Sequence, residues 1–107
     1  MSAINDTIPI TMCETQAIRE IMLEYRRATE LHGPFQTQHE GFAVILEELD
    51  ELKAEVWKKP ADRDPILLRK EACQVAAMAL RFMLDLTYPE ETTWPLWQTV
   101  KRQTEQT

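Results

Sequence analysis

The chain has 107 residues, of which 44% are apolar and 28% charged. This is one domain of ordinary globular composition, with no room for a second catalytic domain. Only two residues are Gly, so glycine-rich phosphate loops and dinucleotide fingerprints are excluded. Twelve Lys and Arg against eighteen Asp and Glu give a net charge of −6, the wrong sign for a generic nucleic-acid binder.

Residues 1–10 read as an irregular lead-in ending at Pro9. Thr11 and Glu14 fit a capping box that opens a first helix running to about Leu31. Its apolar positions Ala17, Ile18, Ile21, Met22, Tyr25 and Ala28 follow 3–4 spacing. His32-Gly33-Pro34 stops it, because Gly suits a left-handed cap and Pro cannot continue a helix. Thr37 and Glu40 form a second capping box for a helix from about Gln38 to Lys59, with Lys58 and Lys59 complementing its negative end. Asp64-Pro65 is a third start signal, for a helix ending near Leu86. The segment beyond, 88–107, is polar apart from Trp94, Pro95, Leu96, Trp97 and Val100, and reads as a tail or short helix. No alternating strand pattern and no hairpin dipeptide competes. The expected architecture is all-α, a single domain over 1–107 with a core of about 11–87, built as a bundle of three long helices.

Two cysteines, Cys13 and Cys73, make neither a disulfide framework nor a four-thiolate zinc site, and read as small hydrophobes. There is no visible signal peptide. The apolar run from Ala72 to Leu86 is broken by Gln74, Arg81 and Asp85, so it is no membrane span. A reducing cytoplasm is the expected compartment, with no membrane and no nucleic acid as partners.

The negative charge is concentrated. Between Glu40 and Glu55 stand six acids and one base, Lys53. On a helical wheel, Phe42, Ile45, Leu49, Leu52 and Val56 form the expected core face of the second helix. Glu48, Glu51 and Glu55 flank it, where ionised carboxylates lose water and need a partner. The third helix is apolar nearly all round, which implies cover on every side and therefore association with further copies. Its polar exceptions Glu71, Gln74, Arg81 and Asp85 share one stripe. Glu48 with Glu51, and Glu71 with Gln74, each lie one turn apart on one face. Four oxygen donors converge if the two helices pack antiparallel. Such a cluster repels itself unless a cation neutralises it, and hard oxygen ligands favour Mg²⁺ or Mn²⁺. The same pattern also fits a surface helix with spare glutamates beside a core helix holding an internal Arg81–Asp85 ion pair.

Glu47-Glu48-Leu49-Asp50-Glu51, followed after 19 residues by Glu71-Ala72-Cys73-Gln74, resembles the Glu-Glu-x-x-Glu … Glu-x-x-Asp pattern of MazG-like, all-α nucleoside triphosphate pyrophosphohydrolases. The words around it, His39-Glu-Gly-Phe-Ala-Val-Ile-Leu and Val75-Ala-Ala-Met-Ala-Leu-Arg-Phe, strengthen the likeness to the small single-domain members. It covers about residues 34–86. The resemblance implies a helical bundle completed by dimerisation, as a homodimer or a dimer of dimers. It also implies Mg²⁺-dependent hydrolysis of a nucleoside triphosphate to the monophosphate and pyrophosphate. Glu48, Glu51 and Glu71 would then be metal ligands, with Gln74 where the family has Asp. Glu47 would orient the attacking water or touch a second metal.

Lys53, Lys58, Lys59, Arg63 and Arg81 are candidate phosphate contacts. His39 and Trp57 are further substrate-contact candidates, with surface and packing roles as their alternatives. Gln74 offers a neutral oxygen in place of an anionic one. That difference keeps a second function open, a nucleotide-binding or regulatory module of the same fold with weakened turnover.

Overall fold

The computed structural model describes residues 10–88, and they are all-helical, with no strand among them. Helix α1 spans Met12–His32, α2 spans Gln38–Val56 and α3 spans Pro65–Leu86, with a 3₁₀ turn at Pro60–Asp62. The segment 89–107, including Trp94 and Trp97, lies outside the described residues. No described helix is long and apolar enough to cross a membrane.

The start signals operate as local chemistry dictates. Thr11 Oγ1 accepts from Glu14 N at 3.1 Å and Thr11 N donates to Glu14 Oε1 at 2.8 Å, which completes the first capping box. Asp64 accepts from Ile66 N at 2.9 Å, with Pro65 as the first helical residue. Gly33 closes α1 at φ +70°, donating its N–H to Thr29 O at 2.8 Å. The second capping box is only half formed. Thr37 Oγ1 accepts from Glu40 N, but the Glu40 carboxylate turns to Gln36 N at 2.6 Å. Helix α2 also stops three residues before the expected Lys59, with Trp57 as its cap. Arg63 donates to the Val56 and Lys58 carbonyls there, which satisfies the helix end without another turn.

Helix α3 is the centre of the molecule. Both α1 and α2 pack on it, and they do not pack on each other. Glu20 of α1 pairs with Arg69 near the start of α3, and Gly33 beyond α1 meets Arg81 near its end, so α1 and α3 run parallel. Helix α2 runs antiparallel to α3, with Gly41 against Phe82 and Leu86. The buried apolar residues are Ala28, Phe35, Ala77 and Met78, with Ile21, Tyr25, Val44, Ile45, Phe82 and Leu86 packed around them.

One expectation is corrected. Phe42, Leu49 and Val56 are exposed (Phe42 by 62%), so they do not form the core face of α2. The inward face is Gly41, Val44, Ile45, Glu48, Leu52 and Glu55, rotated by roughly a fifth of a turn. Polarity ranks positions, but close approach sets the contact. Without a side chain, Gly41 lets α2 settle where a Cβ would stand 2.7 Å from the Phe82 ring.

Candidate functional site

That rotation brings acidic side chains into the α2–α3 contact. Oxygens of Glu48, Glu51 and Glu71 lie within 4.8 Å of one another. Glu48 and Glu71 are half-buried and Glu51 is exposed. One carboxylate oxygen of Glu48 and one of Glu71 are fully covered and have no hydrogen-bond partner. Leaving buried acceptors unpaired costs on the order of 1–3 kcal/mol each. Burial pushes the Glu48 carboxyl up to about 7, with the charges of Glu51, Glu71 and Glu47 adding to it. Burial also raises Glu71, again reinforced by Glu51. Three carboxyl groups are thus crowded together, and no Lys or Arg is paired with any of the three among the described residues.

Beside this triad runs a cleft of about 320 Å³ between α1 and α2, with α3 as its floor. The α2 wall carries Glu40, Val44, Glu47 and Glu48, and the α1 wall carries Glu24, Arg27, Ala28 and His32. Gln74, Met78 and Arg81 line the floor, and Gly33, Pro34 and Phe35 close one end. A more open recess of about 540 Å³ adjoins it between α1 and the first half of α3. Gln74 borders both.

Arg81 is 3% exposed. Its guanidinium lies 4.1 Å from the centre of the Phe35 ring and donates to Gly33 O at 2.8 Å and Met78 Sδ at 3.2 Å. Its Nε has no partner. No carboxylate lies within ion-pair distance of it among the described residues. The Arg81–Asp85 pair considered from the sequence is not formed. Asp85 instead accepts from Phe35 N at 2.9 Å and holds the 33–37 loop.

The structure therefore gathers Glu47, Glu48, Gln74 and Arg81 around one cleft, with Glu51 and Glu71 in the triad at Glu48. It does not bring the other candidates there. Lys53 and Trp57 pair with each other, Nζ lying 5.4 Å from the ring, and Trp57 is 72% exposed. His39 borders an apolar recess with Phe42 and Phe82. Lys58 is bonded to Glu55 at 2.9 Å, and Arg63 to backbone carbonyls. Sequence reasoning missed Phe35, Arg27 and His32 as cleft residues. His32-Gly33-Pro34-Phe35 was legible only as a helix stop, and nothing in its spacing announces that it ends a cleft. Both cysteines are free, and burial raises the Cys73 thiol, which leaves it unsuited to nucleophilic work.

No protein-family model, no curated protein and no solved structure matches the chain.

Proposed function

We propose that the protein is a nucleoside triphosphate pyrophosphohydrolase of MazG-like type that uses Mg²⁺, or Mn²⁺ in its place, and works as an assembly of more than one copy. The observation that carries this reading is the trio of carboxylates from two helices, two of them with covered, unpartnered oxygens. That donor set suits a hard divalent cation. Glu48, Glu51 and Glu71 would hold it, with Gln74 as a neutral neighbour. Such a cation, when bound, neutralises charge on the phosphate oxygens.

The remaining work falls to the chain's own side chains. Glu47 is exposed on the cleft wall beside Glu48. It accepts a hydrogen bond from the attacking water and takes its proton. The water oxygen bonds to the α-phosphorus, the bond from that phosphorus to the bridging oxygen breaks, and pyrophosphate leaves. Arg81 stands ten residues after Glu71, roughly 15 Å along the α3 axis. Arg81, Phe35 and Met78 are each no more than 5% exposed and shape the end of the cleft away from the triad, where the nucleoside would lie. Arg27 and His32 on the α1 wall are cationic or hydrogen-bonding groups at the cleft rim.

The test is incubation with a panel of nucleoside triphosphates and Mg²⁺, scored for pyrophosphate. Release that falls by about 100-fold or more in Glu48→Ala and Glu71→Ala supports the enzyme. No release from any triphosphate by the unaltered protein overturns it. Gln74 favours a second reading, nucleotide binding with little turnover, because the neutral amide removes one anion from the donor set. Binding of a triphosphate without pyrophosphate, with turnover gained in Gln74→Asp, selects that reading.

A further inference from the structure

The recess between α1 and the first half of α3 differs in charge from the cleft it adjoins. Arg27, Arg69 and Lys70 line it against two acids, Glu20 and Glu24. The cleft carries four acids, Glu24, Glu40, Glu47 and Glu48, against two arginines, Arg27 and Arg81. An anion released beside the triad is therefore repelled along the cleft and attracted into the recess. The two recess arginines are held alike. Arg27 donates Nε and Nη2 to the two oxygens of Glu24 at 2.9 and 2.7 Å, and Arg69 does the same with Glu20. Nη1 of each guanidinium has no hydrogen-bond partner among the described residues. A fork fixed in this way offers its remaining N–H groups with little further loss of freedom. Lys70 is exposed on the recess and forms no ion pair among the described residues. It stands one residue before Glu71. Burial raises the Glu71 carboxyl, and the Lys70 charge opposes that rise. Gln74 lies one turn from both Lys70 and Glu71 and borders both cavities.

We propose that the recess is the pyrophosphate site. The β- and γ-phosphates lie against Lys70 and the free Nη1 groups of Arg69 and Arg27, and Gln74 donates its amide N–H at the junction. The leaving-group role rests on the pyrophosphohydrolase reading, whereas the affinity for pyrophosphate does not. Three cationic side chains suit a multiply charged anion with many acceptor oxygens. Gln74 gains a use in this arrangement. A carboxylate there would set another negative charge on the path of the anion, and the amide supplies donors instead. The uncharged nucleoside has no such preference and keeps to the cleft end at Phe35. Two cavities of different charge that meet at Gln74 thus divide the substrate between them. Affinity for pyrophosphate and affinity for a nucleoside monophosphate then respond to different residues.

Titration calorimetry on the full chain with Mg²⁺ tests it, with inorganic pyrophosphate and deoxynucleoside monophosphates as separate probes. The unaltered protein is expected to bind pyrophosphate. Lys70→Ala and Arg69→Ala are each expected to weaken that binding by about 10-fold, with helical circular dichroism retained and no loss of monophosphate binding. Lys70→Arg is expected to keep the affinity. Arg19→Ala removes the same charge from an exposed site of α1 outside the recess and is expected to change neither. No binding of pyrophosphate by the unaltered protein overturns the inference. So does an affinity that survives both Lys70→Ala and Arg69→Ala, or one that falls as far in Arg19→Ala. Turnover is scored apart. Triphosphate hydrolysis with a pyrophosphate affinity independent of Lys70 overturns this inference alone. Lys70-dependent affinity without pyrophosphate release from any triphosphate overturns the catalytic reading alone.

Discussion

The two sides of α3 differ in what they leave unsatisfied. Toward the cleft, α3 turns Gln74 and Arg81 beside Met78, and a guanidinium lies buried without a carboxylate among the described residues. On the opposite side, Ala76, Ala79 and Met83 present apolar surface. The first deficit is electrostatic and specific in its chemistry. The second is an area deficit and is indifferent to chemistry beyond shape. Buried charge and apolar surface are thereby separated onto two faces of one helix, so substitutions can address each alone.

The strongest way to break the comparison is at Arg81. Arg81→Ala removes the Gly33 bond and the cover over Phe35, and is expected to lower unfolding stability by about 3 kcal/mol in a denaturant titration. Arg81→Met keeps the volume without the buried charge and is expected to cost less than half as much. Equal losses would show that the charge itself holds the loop. Next comes the triad. Glu48 is raised in the fold to about 7 from an ordinary 4.5, so the folded state holds more protons than the unfolded one across that window. The metal-free protein is therefore most stable below pH 4.5, as far as this group decides, and loses on the order of 2–3 kcal/mol by pH 7. Adding Mg²⁺ is expected to reverse the loss above pH 7, and Glu48→Gln to remove most of it. Thermal melts across pH 4–8 with and without Mg²⁺ read both effects. The absence of any slope would place those carboxylates in water, and one of opposite sign would pair them with a cation.

The smallest expected effect sharpens the geometry. Gly41→Ala puts a Cβ 2.7 Å from Phe82 Cδ2 and 3.0 Å from Leu86 Cδ1. Overpacking of about 1–3 kcal/mol outweighs the gain of about 1 kcal/mol in helix propensity. A modest net loss is expected in the same denaturant titration, together with a weaker divalent-cation stabilisation, since α2 must shift.

Much of the fold was legible because its signals are local. Thr11, Asp64 and Pro65 set helix starts through backbone hydrogen bonds within a few residues. The convergence of Glu48, Glu51 and Glu71 was legible because one-turn spacing on two helices survives any small rotation. The inward face of α2 was not, since the apolar stripe of Phe42, Leu49 and Val56 argued for the wrong side. A wheel records where apolar residues lie and is silent on which partner, within the chain or outside it, will cover them. The partners of Arg81 and Asp85 were hidden for a related reason. Both turn to backbone groups in the 33–35 loop, and every residue has such groups, so no pattern of residue types marks them.

The manner in which the 33–37 loop is held has a mechanical consequence. Asp85 grips Phe35 and Arg81 grips Gly33, so the joint between α1 and α2 is pinned to the last turns of α3. The far end of α1 is tied across to α3 by the exposed Glu20–Arg69 pair, a tether of the kind worth at most about 1 kcal/mol. The joined end of α1 is thus held more firmly than its start, and amide exchange is expected to run fastest along the opening turns of α1.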